Sequence, residues 1–117
     1  MMRAIITVAL ALTMSNAFAV RTVEVLEEAY ELMLGDIVMP SGAAGTAVFR
    51  PCAECDSVGM AVSAQTRYFF GGREATLPEF LRLVEELRQT PRGNAEAFVG
   101  LFYDQQANRI TRLTVSP

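Results

Sequence analysis

The chain has 117 residues and sets ten arginines against thirteen carboxylates, a formal net charge of −3, with no lysine and no histidine. An acidic balance argues against nucleic acid and against an anionic membrane surface as partner, because both reward a basic patch. The missing histidine removes the commonest general base and the commonest metal ligand together, so neither a Ser-His-Asp nor a Cys-His arrangement can be built.

Residues 1–19 read as a cleavable secretory signal peptide. Arg3 supplies the positive start, Ala4 to Met14 is an uncharged apolar stretch, and Ser15-Asn16 is a polar break before the small-residue cleavage site Ala17-Phe18-Ala19. Val20 is the expected first mature residue. The apolar stretch is shorter than the roughly twenty residues of a membrane span. No later segment is long and apolar enough to span a bilayer, and neither cysteine lies near the cleavage site, as a lipid anchor requires. Removing 19 residues from 117 leaves 98, residues 20–117, enough for one domain with a modest core. Arg3 departs with the signal, so nine arginines then face thirteen acids, a net charge of −4. The expected location is periplasmic or secreted.

Two periods can be drawn through residues 22–39. Leu26, Ala29, Tyr30 and Met33 share a helical face opposite Glu27, Glu28 and Glu31, whereas Tyr30, Leu32 and Leu34 alternate as a strand does. The pattern leans to a helical or mixed element, with a short strand over Asp36 to Met39. Pro40 to Gly45 is a loop by composition. Thr46 to Arg50 is β-prone, and from Val58 to Phe70 the even-numbered residues, Met60, Val62, Ala64, Thr66 and Tyr68 among them, share one strand face. The turn-like segment Pro51 to Ser57 makes these two runs an antiparallel hairpin. Gly71-Gly72 suits a tight turn into Arg73 to Ala75.

The clearest helix signal follows. Thr76-Leu77-Pro78-Glu79 has the form of a capping box, and Leu77, Phe80, Leu81, Val84 and Leu87 recur at helical spacing until Pro91 and Gly93. Ala97 to Tyr103 and Arg109 to Val115 then flank a polar turn as a C-terminal hairpin.

Cys52-Ala53-Glu54-Cys55 is the one motif with chemistry in it. In an exported chain two cysteines without others are most simply a disulfide, and the i, i+3 spacing matches the approach of the ends of a β-turn. On the chain-entropy model so short a loop contributes only about 2 kcal/mol, so its role is to fix a hairpin tip. A redox role needs the first cysteine at a helix N-terminus, yet the residues after Cys55 enter a strand, and Glu54 and Asp56 disfavour a thiolate. Metal handling has half of a tetrahedral zinc site and needs a dimer sharing both pairs to complete it. A soft Cu(I) site of Cys52, Cys55 and Met60, with Met33 or Met39 nearby, is the other metal alternative. Glu27-Glu28 and Glu85-Glu86 read as solvated faces, and the glycines at 71 and 72 lack a phosphate-binding context. Of Tyr68, Phe69 and Phe70, the aromatic candidates for a ligand groove, only Phe69 points outward from the alternation.

Thr66 to Gly72, the leucine-rich stretch Leu77 to Leu87, Val99 to Asp104 and Arg109 to Leu113 together resemble small exported bacterial β-domains. In those domains a Thr-x-Tyr strand, a glycine turn, a short helix and a Val-x-x-x-Tyr-Asp hairpin follow one another. The resemblance covers about half of the mature chain, omits the cysteine loop, and implies a compact, barrel-like module of undefined activity with no functional residue carried over.

The residues therefore predict an α+β fold: an antiparallel sheet of about five strands packed with one amphipathic helix. The expected function is a non-enzymatic exported binding or accessory domain for an unidentified protein or small ligand, without a cofactor. The alternative is a small thiol-disulfide or Cu/Zn-handling protein that uses the cysteine loop.

Overall fold

The computed structural model describes residues 27–117, so the signal segment expected over 1–19 lies outside the described residues. Strand β1 (Glu27–Met33) runs through a 3-10 turn (Leu34–Asp36) into β2 (Ile37–Val38), followed by β3 (Thr46–Phe49), β4 (Val58–Ala61), β5 (Arg67–Phe70) and β6 (Arg73–Ala75). Helices α1 (Leu77–Arg88) and α2 (Gly93–Glu96) then precede β7 (Phe98–Asp104) and β8 (Arg109–Ser116).

These strands form one eight-stranded sheet rather than five strands, and the sheet is mixed rather than antiparallel. The order is β1-β7-β8-β4-β3-β2, with β5 also on β8 and β6 on β5. Both parallel pairings fall on β8: Ala61 of β4 stands beside Arg109, and Arg67 to Phe70 of β5 beside Arg112 to Val115. The sheet is not a closed barrel. The ends of its main strand path, β1 and β2, are joined by the covalent turn Leu34–Asp36 and not by a hydrogen-bond ladder, while β6 ends the side branch through β5.

The helical lean for the segment around Tyr30 is overturned. All seven residues of β1 pair antiparallel with β7, Glu27 with Asp104 through Met33 with Phe98. A strand buries Leu32 to 4 % exposure and leaves Ala29 exposed, whereas the helical face would have done the reverse. Tyr30 packs inward between Phe49 and Tyr103, with ring centroids 5.2 and 5.3 Å away.

The long strand expected over Val58 to Phe70 is two strands with a turn between them. The Ser63 amide donates to the Thr66 hydroxyl at 2.9 Å, and the Thr66 amide returns to the Ser63 carbonyl at 3.1 Å. The Thr66 hydroxyl itself donates to the Ile110 carbonyl of β8 at 2.7 Å. A side chain thus takes one rung of the ladder where the backbone turns away, and Met60, Val62, Thr66 and Tyr68 remain inward despite the break.

The hairpin expected between the Thr46 and Val58 runs is present, with Ala47 opposite Met60 and Phe49 opposite Val58. The glycine turn is present too: Gly71 and Gly72 have φ of +60° and +84°, the conformation of a two-residue hairpin turn. In the C-terminal hairpin the register slips between Phe102 and Tyr103, leaving Thr111 as the extra residue of a bulge. Ile110, Leu113 and Val115 consequently all face the core, opposite Tyr103, Leu101 and Val99, although an unbroken strand would send Ile110 outward.

Helix α1 is capped as its sequence predicts. The Thr76 hydroxyl accepts from the Glu79 amide, Pro78 sits in the first turn, and Phe80 and Val84 are buried. Phe80 lies 5.1 Å from the ring of Tyr68, which is itself 5 % exposed. Burial pushes the Tyr68 phenol up from its ordinary pKa, and its hydroxyl is a buried atom with no hydrogen-bond partner among the described residues. At the other end of α1 the Arg88 guanidinium donates to the Leu34 carbonyl at 2.8 Å, the Ile37 carbonyl at 2.7 Å and Asn94 Oδ1 at 2.8 Å. One side chain thereby fastens the helix to the turn that joins the two ends of the sheet.

Two outcomes are expected in chemical denaturation. Arg88→Met costs about 2 kcal/mol, because it strips charged donors from partly buried carbonyls, and Arg88→Lys recovers only part, since an ammonium lacks the planar fork. Tyr68→Phe raises stability by about 1 kcal/mol by deleting an unpaired hydroxyl. A loss instead would mean that the hydroxyl is hydrogen-bonded in solution.

Candidate functional site

Cys52 and Cys55 sit at disulfide distance, their Cα atoms 5.0 Å apart, at the tip of the β3–β4 hairpin. The Cys55 amide donates to the Cys52 carbonyl at 3.1 Å, which closes the β-turn that the spacing predicted. Cys52 is exposed and Cys55 half-buried. Behind the loop, Arg50 reaches Asp36 at 3.3 Å, and the Arg50 amide donates to the Asp36 carbonyl at 3.0 Å, tying the hairpin to the turn after β1.

The methionines considered as soft ligands lie apart from one another. Met60 is a core residue, 5 % exposed, opposite Ala47. Met39 lines a depression between β2 and α1, and Met33 alone shares a cavity with Cys52. Among the described residues no three His, Cys, Asp or Glu side chains cluster as metal ligands do. Glu27, Glu28, Glu85 and Glu86 are exposed, and Glu86 is ion-paired with Arg82.

The cysteine loop forms one end of a longer groove. A depression of about 250 Å³ lies between the end of β1 and the loop, lined by Glu31, Met33, Asp36, Arg50, Cys52 and Phe98 among others. A second, of about 490 Å³, lies on the outer face of the sheet over Ala29, Glu31, Phe98, Gly100, Phe102, Thr114 and Ser116. Glu31 and Phe98 line both, so the two meet there.

Strand alternation explains this face. Val99, Leu101 and Tyr103 of β7 turn inward, so Phe98, Gly100 and Phe102 turn outward. Phe98 is 59 % exposed, which is unusual for so large an apolar side chain on a sheet face. Phe102 is covered by the Arg112 guanidinium, 3.9 Å above its ring centroid, and Phe69 by Arg67 at 5.2 Å. Gly100 forms the floor: a Cβ there would come within 2.7 Å of Thr114 Oγ1 and 3.1 Å of Phe102 Cε1.

The charges around the groove are unequally matched. Arg67 hydrogen-bonds Glu74 at 3.0 Å and holds its carboxyl below the usual range, while Arg112 lies 3.8 Å from Glu27. Glu31, the charged residue lining the larger depression, has no ion pair among the described residues. The groove therefore offers one open phenyl ring, a second under a guanidinium, a hydroxyl-bearing floor and one carboxylate without an ion pair among the described residues. That set binds by stacking and charge.

Of the aromatic triplet, Tyr68 is buried, Phe69 points outward as its alternation indicated, and Phe70 packs against the core. Phe98 and Phe102 are not distinguished by the sequence, because they belong to a hairpin strand whose inward face is equally apolar. The signal available was the even-numbered pattern Phe98-x-Gly100-x-Phe102. No helix among the described residues is long and apolar enough to cross a membrane. Comparison with known protein families, curated proteins and solved structures finds no match to this chain.

Gly100→Ala is expected to cost about 1–2 kcal/mol by overpacking, read as a lowered denaturation midpoint. Adding Thr114→Ala should recover part of that loss. Equal losses in the single and double variants would show that Thr114 is not the obstacle.

Proposed function

We propose that the protein is an exported, non-enzymatic binding domain whose ligand surface is the groove centred on Phe98, with Cys52–Cys55 holding the loop at one end. The observation that carries this reading is Phe98 itself: a large apolar side chain left open at the junction of two depressions. Exposed aromatic residues in concave, mixed apolar and polar surroundings are the usual anchors of binding surfaces. Export rests on the signal-like pattern of residues 1–19 and supports the oxidised state of the cysteines.

A second reading has one observation in its favour, the exposed position of Cys52 beside the groove, which suits thiol-disulfide exchange with a bound partner. The strand rather than helix that follows Cys55 argues against it, since no helix dipole stabilises a Cys52 thiolate.

Three measurements test the binding reading together. The exported fraction is expected to hold a protein that begins at Val20, with a disulfide that stays closed in glutathione buffers. Cys52→Ser and Cys55→Ser are each expected to lose no more than about 2 kcal/mol of stability. A photo-crosslinking residue at position 98 should form adducts in the exporting host, and one at Val48, on β3, should not. Ready reduction by glutathione with loss of adducts in the Cys→Ser variants would instead establish the exchange reading.

A further inference from the structure

We propose that the groove receives a basic, extended segment of a partner protein, which adds to the free edge of β1 and lays a lysine or arginine side chain over Phe98 against Glu31. This inference rests on the binding reading above and specifies the chemistry of the partner.

The first argument is charge. Glu31 is the charged group lining the larger depression and lacks an ion pair among the described residues, whereas Glu27 on the same strand is matched by Arg112. Glu27, Glu28 and Glu31 are all exposed along β1, and the mature chain carries a net charge of −4 from nine arginines and thirteen acids. A carboxylate beside an open phenyl ring suits a cation on an aliphatic stem: the stem covers the ring, the cation meets its face, and the carboxylate accepts the hydrogen bonds.

The second argument is the edge. Among the described residues β1 pairs on one side only, with β7, so every second residue of β1 turns its N–H and C=O groups away from its neighbour. An added strand satisfies those groups through its backbone and places alternate side chains on the outer face, beside Ala29 and Glu31. Ala29 and Glu31 line the depression that holds Phe98 and Phe102. Edge and groove are thus reached by one extended peptide.

The same charges discriminate among occupants. A second copy of this chain brings an acidic β1 against an acidic β1, which like-charge repulsion opposes. An anionic ligand meets Glu31 without a free arginine beside it, since Arg50, which lines the groove, is paired with Asp36 and Arg112 with Glu27.

The test titrates the oxidised mature protein with a capped peptide of alternating valine and lysine, matched in length to β1, and with its valine–glutamate counterpart. Amide shifts are followed by NMR. Saturable shifts are expected at Tyr30 to Leu32 and Phe98 to Phe102 with the lysine peptide, which should bind at least about tenfold more tightly than the glutamate peptide. Glu31→Gln should weaken the lysine peptide about threefold and reduce its salt dependence. Phe98→Ala, at an exposed position that leaves the fold intact, should weaken it about tenfold or more. The proposal is overturned by equal binding of both peptides, by shifts confined to other strands, by no saturable binding, or by an unaltered affinity in Glu31→Gln. Any of these together with crosslinks at position 98 leaves the binding reading standing and removes only the basic partner. Any of these together with absent crosslinks at position 98 removes both.

Discussion

The structure depends on one strand, β8, which alone among the described strands pairs with three others. β8 takes β7 antiparallel on one side, and on the other it takes β4, the Thr66 hydroxyl and β5 in succession, all running parallel to it. Ile110, Leu113 and Val115 project from this strand into the core, and the bulge at Thr111 is what allows all three to do so. Without that extra residue, Ile110 and everything N-terminal to it would exchange faces, and the row opposite Tyr103 would be polar. Parallel pairing to a C-terminal strand also means that β4 and β5 cannot complete their hydrogen bonds until the last residues of the chain are in place. The hydrogen-bonded sheet is therefore a long-range object, even though the hairpins β3–β4, β5–β6 and β7–β8 are local.

The ends of that sheet are held by something other than strand pairing. β1 and β2 are consecutive in the chain and terminal in the sheet, and the Arg88 guanidinium spans the turn between them through two carbonyls. This arrangement leaves β1 with a free edge, and the same turn anchors the cysteine hairpin through Asp36 and Arg50. The groove runs over the outer face of the sheet, from the end of β1 and the start of β7 to the hairpin tip. Its chemical character comes from strand alternation, because a β7 that is apolar on both faces must expose one of them.

How much of this was legible in the sequence follows the range of the interactions. Thr76 and Glu79 announce the start of α1, Gly71-Gly72 announce a hairpin, and Cys52 and Cys55 announce a closed turn, because each of these is decided within a few residues. The strand over Glu27–Met33 was not legible, since its residues satisfy helical and strand periods alike and only the seven pairings with β7 select one. The break at Val62 to Thr66 was hidden for the opposite reason: the alternation continues through it, so nothing local shows that the backbone leaves the ladder and a hydroxyl stands in. The aromatic groove was legible only in part. Phe69 could be assigned outward from its neighbours, whereas Phe98 and Phe102 required knowing which face of β7 meets the core.

By itself the sequence determined a signal-like start, an acidic balance without histidine, a capped helix, two tight turns and a cysteine pair placed to close one of them. All of these follow from charge count, backbone sterics or bonds between near neighbours. Tertiary structure alone decided the strand at β1, the parallel partners of β8, the bulge at Thr111 and the open groove between Glu31 and Phe98. Each depends on residues far apart in the chain meeting in one register, and a period of two, read along a single strand, does not say which of its faces will be buried.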